Sequence, residues 1–177
     1  MQCKINRFAN DTELLARTSK HTIDKVSSLL LLVLLSGESV VTLRILIVDD
    51  EPAIHEVMDA YLKKFLDDFE LITAENGQEA VSKAENCIKQ GHPPDFVLMD
   101  MKMPEMGGLE CTRVLTKLGI NNIHLLTAFF DKDSMKQAVE VGARGVLKKS
   151  EGFASVARKV ADLVRGTREP TSTSHHP

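Results

Sequence analysis

A short apolar run that ends directly on acids is the feature that most constrains the fold of this chain. Residues 45–48 are all apolar, Asp49, Asp50 and Glu51 follow at once, and Pro52 comes next. A run this short and this uniformly apolar predicts a strand buried on both faces, as in a parallel sheet. The acids then lie at the carboxyl end of the strand, where open α/β sheets place their functional groups. Pro52 suits the first position of a following helix, where no N–H is needed.

The same unit recurs along the rest of the chain. Apolar runs predict strands at residues 45–48, 69–73, 96–99, 123–126 and 145–148, and each is followed by a segment whose apolar positions recur at helical spacing. Five strand–helix units in strict alternation predict a three-layer α/β/α fold with a five-stranded parallel sheet and right-handed crossovers. The flavodoxin-like strand order 2-1-3-4-5 places strands 1 and 3 side by side. The hydrophobic pattern does not by itself select this strand order. Of the possible orders, this one best explains the polar residues at the strand ends.

Reactive polar residues stand at the ends of four of these strands. Asp49 and Asp50 follow strand 1, Asp100 ends strand 3, Thr127 ends strand 4 and Lys149 ends strand 5. In a parallel sheet these ends share one rim. Carboxylates can hold Mg²⁺, and Asp100 can act as a nucleophile that becomes an aspartyl phosphate. Lys149 can offset the charge of a transferring group and Thr127 can donate to its oxygens, so the set indicates a phosphoryl-transfer site.

From about Leu43 to Arg165 the chain resembles the receiver domain of response regulators, the CheY-like family of two-component signalling. Four short motifs at strand ends carry the resemblance, and together they are far more specific than each is alone. They are Val48-Asp49-Asp50-Glu51, Leu98-Met99-Asp100-Met101-Lys102-Met103-Pro104-Glu105-Met106-Gly107-Gly108, Leu126-Thr127-Ala128 and Gly142-Ala143-Arg144-Gly145-Val146-Leu147-Lys148-Lys149-Ser150.

The resemblance assigns a role to each site residue. It implies that Asp100 accepts a phosphoryl group from the phosphohistidine of a histidine kinase or a phosphotransfer protein. Mg²⁺ is then bound directly by Asp50, Asp100 and the backbone carbonyl of Lys102, with Asp49 acting largely through water. Thr127 and Lys149 contact the phosphoryl group. Such a protein is a phosphoacceptor and not an enzyme, with self-phosphorylation and slow self-dephosphorylation expected.

The assignment of the site lysine requires a choice between two adjacent lysines, and the chain departs from the family pattern at two nearby positions. The family pattern is glycine, an aromatic, two apolar residues and then lysine, and it favours Lys149 over Lys148 as the site lysine. Val146 stands where the family has the aromatic residue whose rotation reports phosphorylation, so switching is expected to run through Thr127 and through loop or helix shifts. Ser150 stands where a proline commonly follows the lysine.

We divide the chain into an extension (residues 1–42), a receiver domain (43–166) and a polar tail (167–177). Residues 29–35 form an apolar run within the extension, and seven residues fall far short of the roughly 20 that span a bilayer. The run is also a poor signal peptide. It fits a short helix packed on the domain or a partner, a weak membrane-surface segment, or an assigned start that lies too far upstream, and we favour the last. Membrane contact is therefore not expected.

Charge and cysteine content narrow the class of protein. A net charge of −3 argues against nucleic-acid binding. Three scattered cysteines without a CxxC pair fit a reducing compartment, and we predict a cytoplasmic location. Because only twelve residues follow Arg165, we expect a stand-alone receiver that signals by altered binding to a downstream protein.

Two other functions compete with this prediction. One is a receiver-like binding module that no longer switches, which Val146 and Ser150 favour. The other is a phosphatase of the haloacid-dehalogenase type. Such an enzyme would need a DxD pattern after strand 1, and this chain has Asp49-Asp50-Glu51 and no cap insertion.

Overall fold

The computed structural model describes residues 42–128 and 131–168, and in these ranges strands and helices alternate as predicted. The strands are β1 (Leu43–Val48), β2 (Phe69–Ala74), β3 (Phe96–Asp100), β4 (Ile123–Thr127) and β5 (Gly145–Lys148). The helices are α1 (Pro52–Leu62), α2 (Gly77–Lys89), α3 (Gly108–Lys117), α4 (Lys132–Glu140) and α5 (Phe153–Arg168). The predicted extension up to residue 41, with its leucine run, and the tail from residue 169 lie outside the described residues.

All five strands pair in parallel, in the order β2-β1-β3-β4-β5, which confirms the predicted fold class and strand order. β1 therefore lies between β2 and β3, and Val48 is in register with Met99. Residues 45–48 are at most 1% exposed. Their uniform apolar character follows from this position, because a central strand has a packed layer on each face.

Alternate residues of the strands feed two separate apolar cores. Ile45 and Ile47 pack with α1 and α5 on one face of the sheet. Leu46 and Val48 pack with α2, α3 and α4 on the other face. The strand period of two thus distributes one continuous apolar run between both cores.

Local capping signals set where several helices begin. Pro52 is the first residue of α1. The Asn76 side chain accepts a hydrogen bond of 2.9 Å from the Glu79 N–H and caps α2, while the Glu79 carboxylate accepts one of 2.8 Å from the Glu75 N–H. Asp131 caps α4 in the same way through the Ser134 N–H. These residues satisfy backbone donors that a helix start leaves without partners.

One helix is shorter than its apolar spacing indicates, and one site residue lies just outside its strand. Apolar positions from Ile54 to Leu66 recur at helical spacing, but α1 ends at Leu62, and the Leu66 N–H donates to the Leu62 carbonyl in the turn that follows. β5 ends at Lys148, as predicted, and Lys149 is the first residue of a 3₁₀ turn, Lys149–Glu151. In both places the side chains continue to pack while the backbone leaves the regular element, which local periodicity does not reveal.

No helix within residues 42–128 and 131–168 combines the length and the apolar character that crossing a bilayer requires.

His124 is a buried histidine, the second residue of β4. It is 5% exposed, and its ring stacks on Phe96 with the centroids 4.9 Å apart. Gly145 lies against the same ring, since a Cβ at this position would lie 2.9 Å from the Cδ2 atom of His124. Burial, and secondly the nearby charge of Arg144, lower the pKa of His124 to about 4. The imidazole is therefore a neutral core group at neutral pH.

We expect this histidine to make the domain sensitive to acid. The unfolded chain binds a proton on His124 more tightly than the folded protein does. The contribution of neutral His124 to the free energy of unfolding is therefore fully present above pH 6.5 and is lost as the pH falls towards 4. The loss attributable to His124 is roughly 3 kcal/mol. Urea unfolding at several pH values gives the free energy of unfolding of wild type and of His124→Leu. The loss of stability in acid that wild type shows and the variant does not is the contribution of His124. His92→Gln, at an exposed position, is the control, because it removes a histidine without changing the core.

Candidate functional site

The carboxyl ends of β1, β3 and β4 and the turn after β5 meet at one rim of the sheet. They enclose a cleft of about 240 Å³ that carries charged and hydroxyl groups from all four segments. Its lining residues are Asp50, Glu51, Asp100, Met101, Lys102, Thr127, Ala128 and Lys149. Of the predicted site residues, Asp49 is the one that does not line the cleft, because it lies beneath the surface with no exposed area.

The three aspartates lie at different depths around a common point. Asp49 is fully buried, Asp100 is 5% exposed and Asp50 is exposed. One carboxylate oxygen from each lies within 4.8 Å of the others. Asp49 Oδ1 accepts a hydrogen bond of 3.1 Å from the Glu51 N–H, which fixes the direction of the deepest carboxylate. The gradient in exposure leaves Asp50 and Asp100 accessible to a ligand in the cleft.

The ammonium group of Lys149 lies between two of these carboxylates. Its Nζ atom is 2.8 Å from Asp49 Oδ2 and 3.1 Å from Asp100 Oδ1. The fully buried Asp49 Oδ2 atom has this ammonium as its nearest positive charge. Lys148 ends β5 in register with Thr127 and is half-buried. Lys149 is therefore the member of the lysine pair whose charge faces the acids.

Burial and ion pairing act against each other in this cluster. Burial raises the pKa of Asp100, and the neighbouring Lys149 charge offsets only part of this effect, so the net pKa is above that of an ordinary aspartate. Burial by itself would lower the pKa of Lys149. The contacts with Asp49 and Asp100 outweigh this effect, so the net pKa is raised. The lysine is thus held protonated, and the acidic cluster carries more negative charge than one ammonium balances.

A divalent cation fits this arrangement. Three carboxylates cluster around a common point, and one ammonium, that of Lys149, pairs with two of them. The donor atoms are all oxygens, the ligands that a hard cation such as Mg²⁺ prefers. The backbone N–H of Lys102 donates to the Asp100 carboxylate, and Lys102 also lines the cleft. The carbonyl of Lys102 as a metal ligand stays a prediction.

Several contributors to the site were not assigned from the sequence. Glu51, Met101 and Ala128 also line the cleft. A Cβ on Gly108 would overlap the carbonyl oxygen of Asp100, so the start of α3 is pressed against the backbone of the proposed phosphoacceptor. The adjacent glycines 107 and 108 after a methionine-rich loop are the sequence signal that could have indicated this close approach.

Comparison with known proteins agrees with the geometry. Residues 45–161 match the family model of the response regulator receiver domain. LnrK, a transcriptional regulatory protein of Bacillus subtilis, is 34% identical over 126 residues, which cover 70% of this chain and 54% of LnrK. The chain spans about half the length of several curated relatives that it matches.

Solved structures with the same fold include a chemotaxis protein and a chain of a two-protein complex. CheY4 of Vibrio cholerae is 26% identical with a TM-score of 0.59, and the match covers 69% of this chain and 98% of CheY4. A chain of the CheX–CheY–BeF₃–Mg²⁺ complex from Borrelia burgdorferi is also 26% identical with a TM-score of 0.59, over 68% of this chain and 88% of that chain.

Removal of the Lys149 charge should couple stability to Mg²⁺. In metal-free protein, Lys149→Met leaves two buried carboxylates without a counter-charge, and we expect the free energy of unfolding to fall by roughly 3 kcal/mol. Added Mg²⁺ should restore more stability to this variant than it gives to wild type, because the cation replaces the missing positive charge. Urea unfolding with and without Mg²⁺ measures both effects.

Lys148→Met is the matched control for this experiment. It removes a lysine one position earlier whose charge is not paired with Asp49 or Asp100, so any loss of stability that it causes should not depend on Mg²⁺. An equal response of the two variants to Mg²⁺ would mean that the Lys149 ion pairs do not hold the acidic cluster.

Proposed function

The chain belongs to the response regulator receiver domain family, and on that basis we propose that it is a phosphoacceptor signalling protein that is modified on Asp100. The observation that carries the proposal is the position of Asp100 in an open cleft, 3.1 Å from the ammonium of Lys149. Asp100 is therefore a carboxylate that a phosphoryl donor can reach from solvent, with a fixed positive charge beside it. A carboxylate nucleophile and a nearby positive charge are what acceptance of a phosphoryl group requires.

The proposed donor is the phosphohistidine of a histidine kinase or of a phosphotransfer protein. An Asp100 carboxylate oxygen attacks the phosphorus, the O–P bond forms and the N–P bond of the donor breaks. The imidazole of the donor leaves and takes a proton from solvent. Lys149 stabilises the charge that collects on the phosphoryl oxygens, and the Thr127 hydroxyl at the same rim donates to one of them.

We propose that the reaction depends on Mg²⁺. Asp50, Asp100 and the carbonyl of Lys102 would hold the ion, and Asp49 would act through water because it is fully buried behind them. When bound, Mg²⁺ offsets the negative charge of the carboxylates and of the transferring group. The excess of carboxylates over ammonium groups supports this proposal, as does the Mg²⁺ named in the Borrelia burgdorferi complex.

We propose that the signal leaves through a protein contact on α4, β5 and α5. In α4, Met135 is 39% exposed and Val139 is 69% exposed. A mainly apolar groove of about 550 Å³ lies between β5 and α5, lined by Leu147, Lys159, Asp162, Leu163 and Gly166. Exposed apolar area of this kind supports a protein partner. A stand-alone receiver and a cytoplasmic location stay predictions.

One observation favours a second function, a receiver-like binding module that does not switch. Val146 in β5 is half-buried against the core formed with α2, α3 and α4, at the position where the family has an aromatic residue. Valine cannot exchange between a buried and an exposed ring position as an aromatic side chain does. If this module is the function, beryllofluoride with Mg²⁺ will leave the amide spectrum of α4 and β5 unchanged.

Phosphorylation by a small-molecule donor tests the main proposal. With acetyl phosphate and Mg²⁺, wild type should gain one phosphoryl group, and intact-protein mass spectrometry detects it. Asp100→Asn should gain none, because an amide is not a carboxylate nucleophile. Asp67→Asn, at an exposed aspartate in the turn after α1, is the matched control and should be modified like wild type.

Three outcomes would contradict the proposal. Phosphate retained on Asp100→Asn would mean that another residue is the acceptor. No modification of wild type at any Mg²⁺ concentration would remove the phosphoacceptor function. Continuous turnover of a small phosphoester would instead favour the phosphatase of the haloacid-dehalogenase type.

A further inference from the structure

Gly77, the first residue of α2, is a residue that the proposed chemistry does not use, and it lies where α2, α3 and the loop after Asp100 meet. It is buried, and its carbonyl accepts a hydrogen bond of 3.4 Å from the Cys111 thiol of α3. Burial raises the pKa of Cys111 to about 12, so the thiol keeps the proton that it donates. Met106, in the loop that follows Asp100, packs on the Cα side of Gly77.

The contact between Gly77 and Met106 leaves no space for a side chain at position 77. A Cβ at Gly77 would lie 2.7 Å from Met106 Cγ and 2.8 Å from the Met106 carbonyl oxygen. The dihedral φ of Gly77 is not in the left-handed region, so the backbone conformation does not require glycine here. The requirement is close approach, and part of it involves loop backbone that a change of rotamer cannot relieve.

The other end of the same loop is held by α3. A Cβ at Gly108 would overlap the Asp100 carbonyl oxygen, and the Gly108 N–H donates to the Met101 carbonyl at 3.2 Å. The loop from Met101 to Gly107 is therefore pressed against α3 where it leaves β3, and against α2 at Met106. Cys111 joins the two helices and closes a ring of contacts around the loop.

We infer that Gly77 is a positioning residue for the metal site. The absence of a side chain lets α2 hold Met106, and with it the loop that carries Lys102, at the distance from Asp100 that Mg²⁺ coordination needs. This inference rests on the proposed function, since it assigns a ligand role to the Lys102 carbonyl. Gly77 contacts neither the cleft nor its ligands and acts through Met106.

Mg²⁺ binding to Gly77→Ala tests the inference directly. We expect the methyl group to push the loop away from α2 and to raise the dissociation constant for Mg²⁺ roughly tenfold, as loss of a supporting contact does in other metal sites. Amide NMR titration with Mg²⁺ gives this constant for the folded fraction alone. The phosphorylation rate with acetyl phosphate should be low at limiting Mg²⁺ and should recover at saturating Mg²⁺, as weakened metal binding requires.

Gly107→Ala is the matched control. It adds the same methyl group to the same loop, but the nearest atom outside its neighbours is 3.7 Å from the added carbon, an ordinary contact. Gly107 caps α3, where alanine is disfavoured, so the variant lowers stability without displacing the loop. The dissociation constant of Gly107→Ala for Mg²⁺ should stay within about twofold of the wild-type value. That change is much smaller than the roughly tenfold rise expected for Gly77→Ala, where a supporting contact is displaced.

Met106→Ala keeps the inference testable if Gly77→Ala does not fold. It removes the loop side of the contact at a half-buried position, and we expect weaker Mg²⁺ binding in the same direction. A wild-type dissociation constant in folded Gly77→Ala, or in Met106→Ala, would overturn the positioning role. Failure of wild type itself to bind Mg²⁺ would instead overturn the proposed function, so the two failures are distinguishable.

Discussion

The ion pairs of Lys149 with Asp49 and Asp100 are the interaction on which the architecture of the site depends. Two buried carboxylates at the ends of neighbouring strands repel each other, and burial disfavours the charge of each. The Lys149 ammonium lies 2.8 Å from one and 3.1 Å from the other, and it comes from the turn after β5, at the far edge of the sheet. The contact therefore joins the ends of three strands. One ammonium does not balance three carboxylates, and the remaining negative charge is what favours a divalent cation.

Backbone packing supports this cluster from below. The order β2-β1-β3-β4-β5 places β1 beside β3, so Asp49 and Asp100 follow residues that are paired in register. The loop after Asp100 is then held by close approaches at Gly108 and Gly77. Helices that serve as packing layers over one core thus also fix the backbone of the site. This dual use explains how a cleft open to solvent can keep its ligand atoms in place.

Within the proposed function, phosphorylation would change the charge balance of one well-defined cluster. A phosphoryl group on Asp100 adds negative charge next to Lys149 and Thr127, and both lie beside the β4–β5 edge of the sheet. The exposed apolar residues of α4 and the groove on α5 border that same edge. Val146 in β5 limits how the change can reach that surface, because its short branched side chain has few alternative positions. Movement of backbone segments is the route that remains.

The sequence by itself determined the alternation of strands and helices, because runs such as residues 45–48 and caps such as Asn76 and Asp131 are local signals. It also identified the polar residues at the strand ends, since each sits at a fixed offset from an apolar run. Tertiary structure alone decided that Asp49 is buried while Asp50 is exposed, and that Lys149 leaves the strand in a 3₁₀ turn to reach the acids. It also decided that Gly77 contacts Met106. These features depend on segments far apart in the chain, and no local pattern of residues specifies such distances.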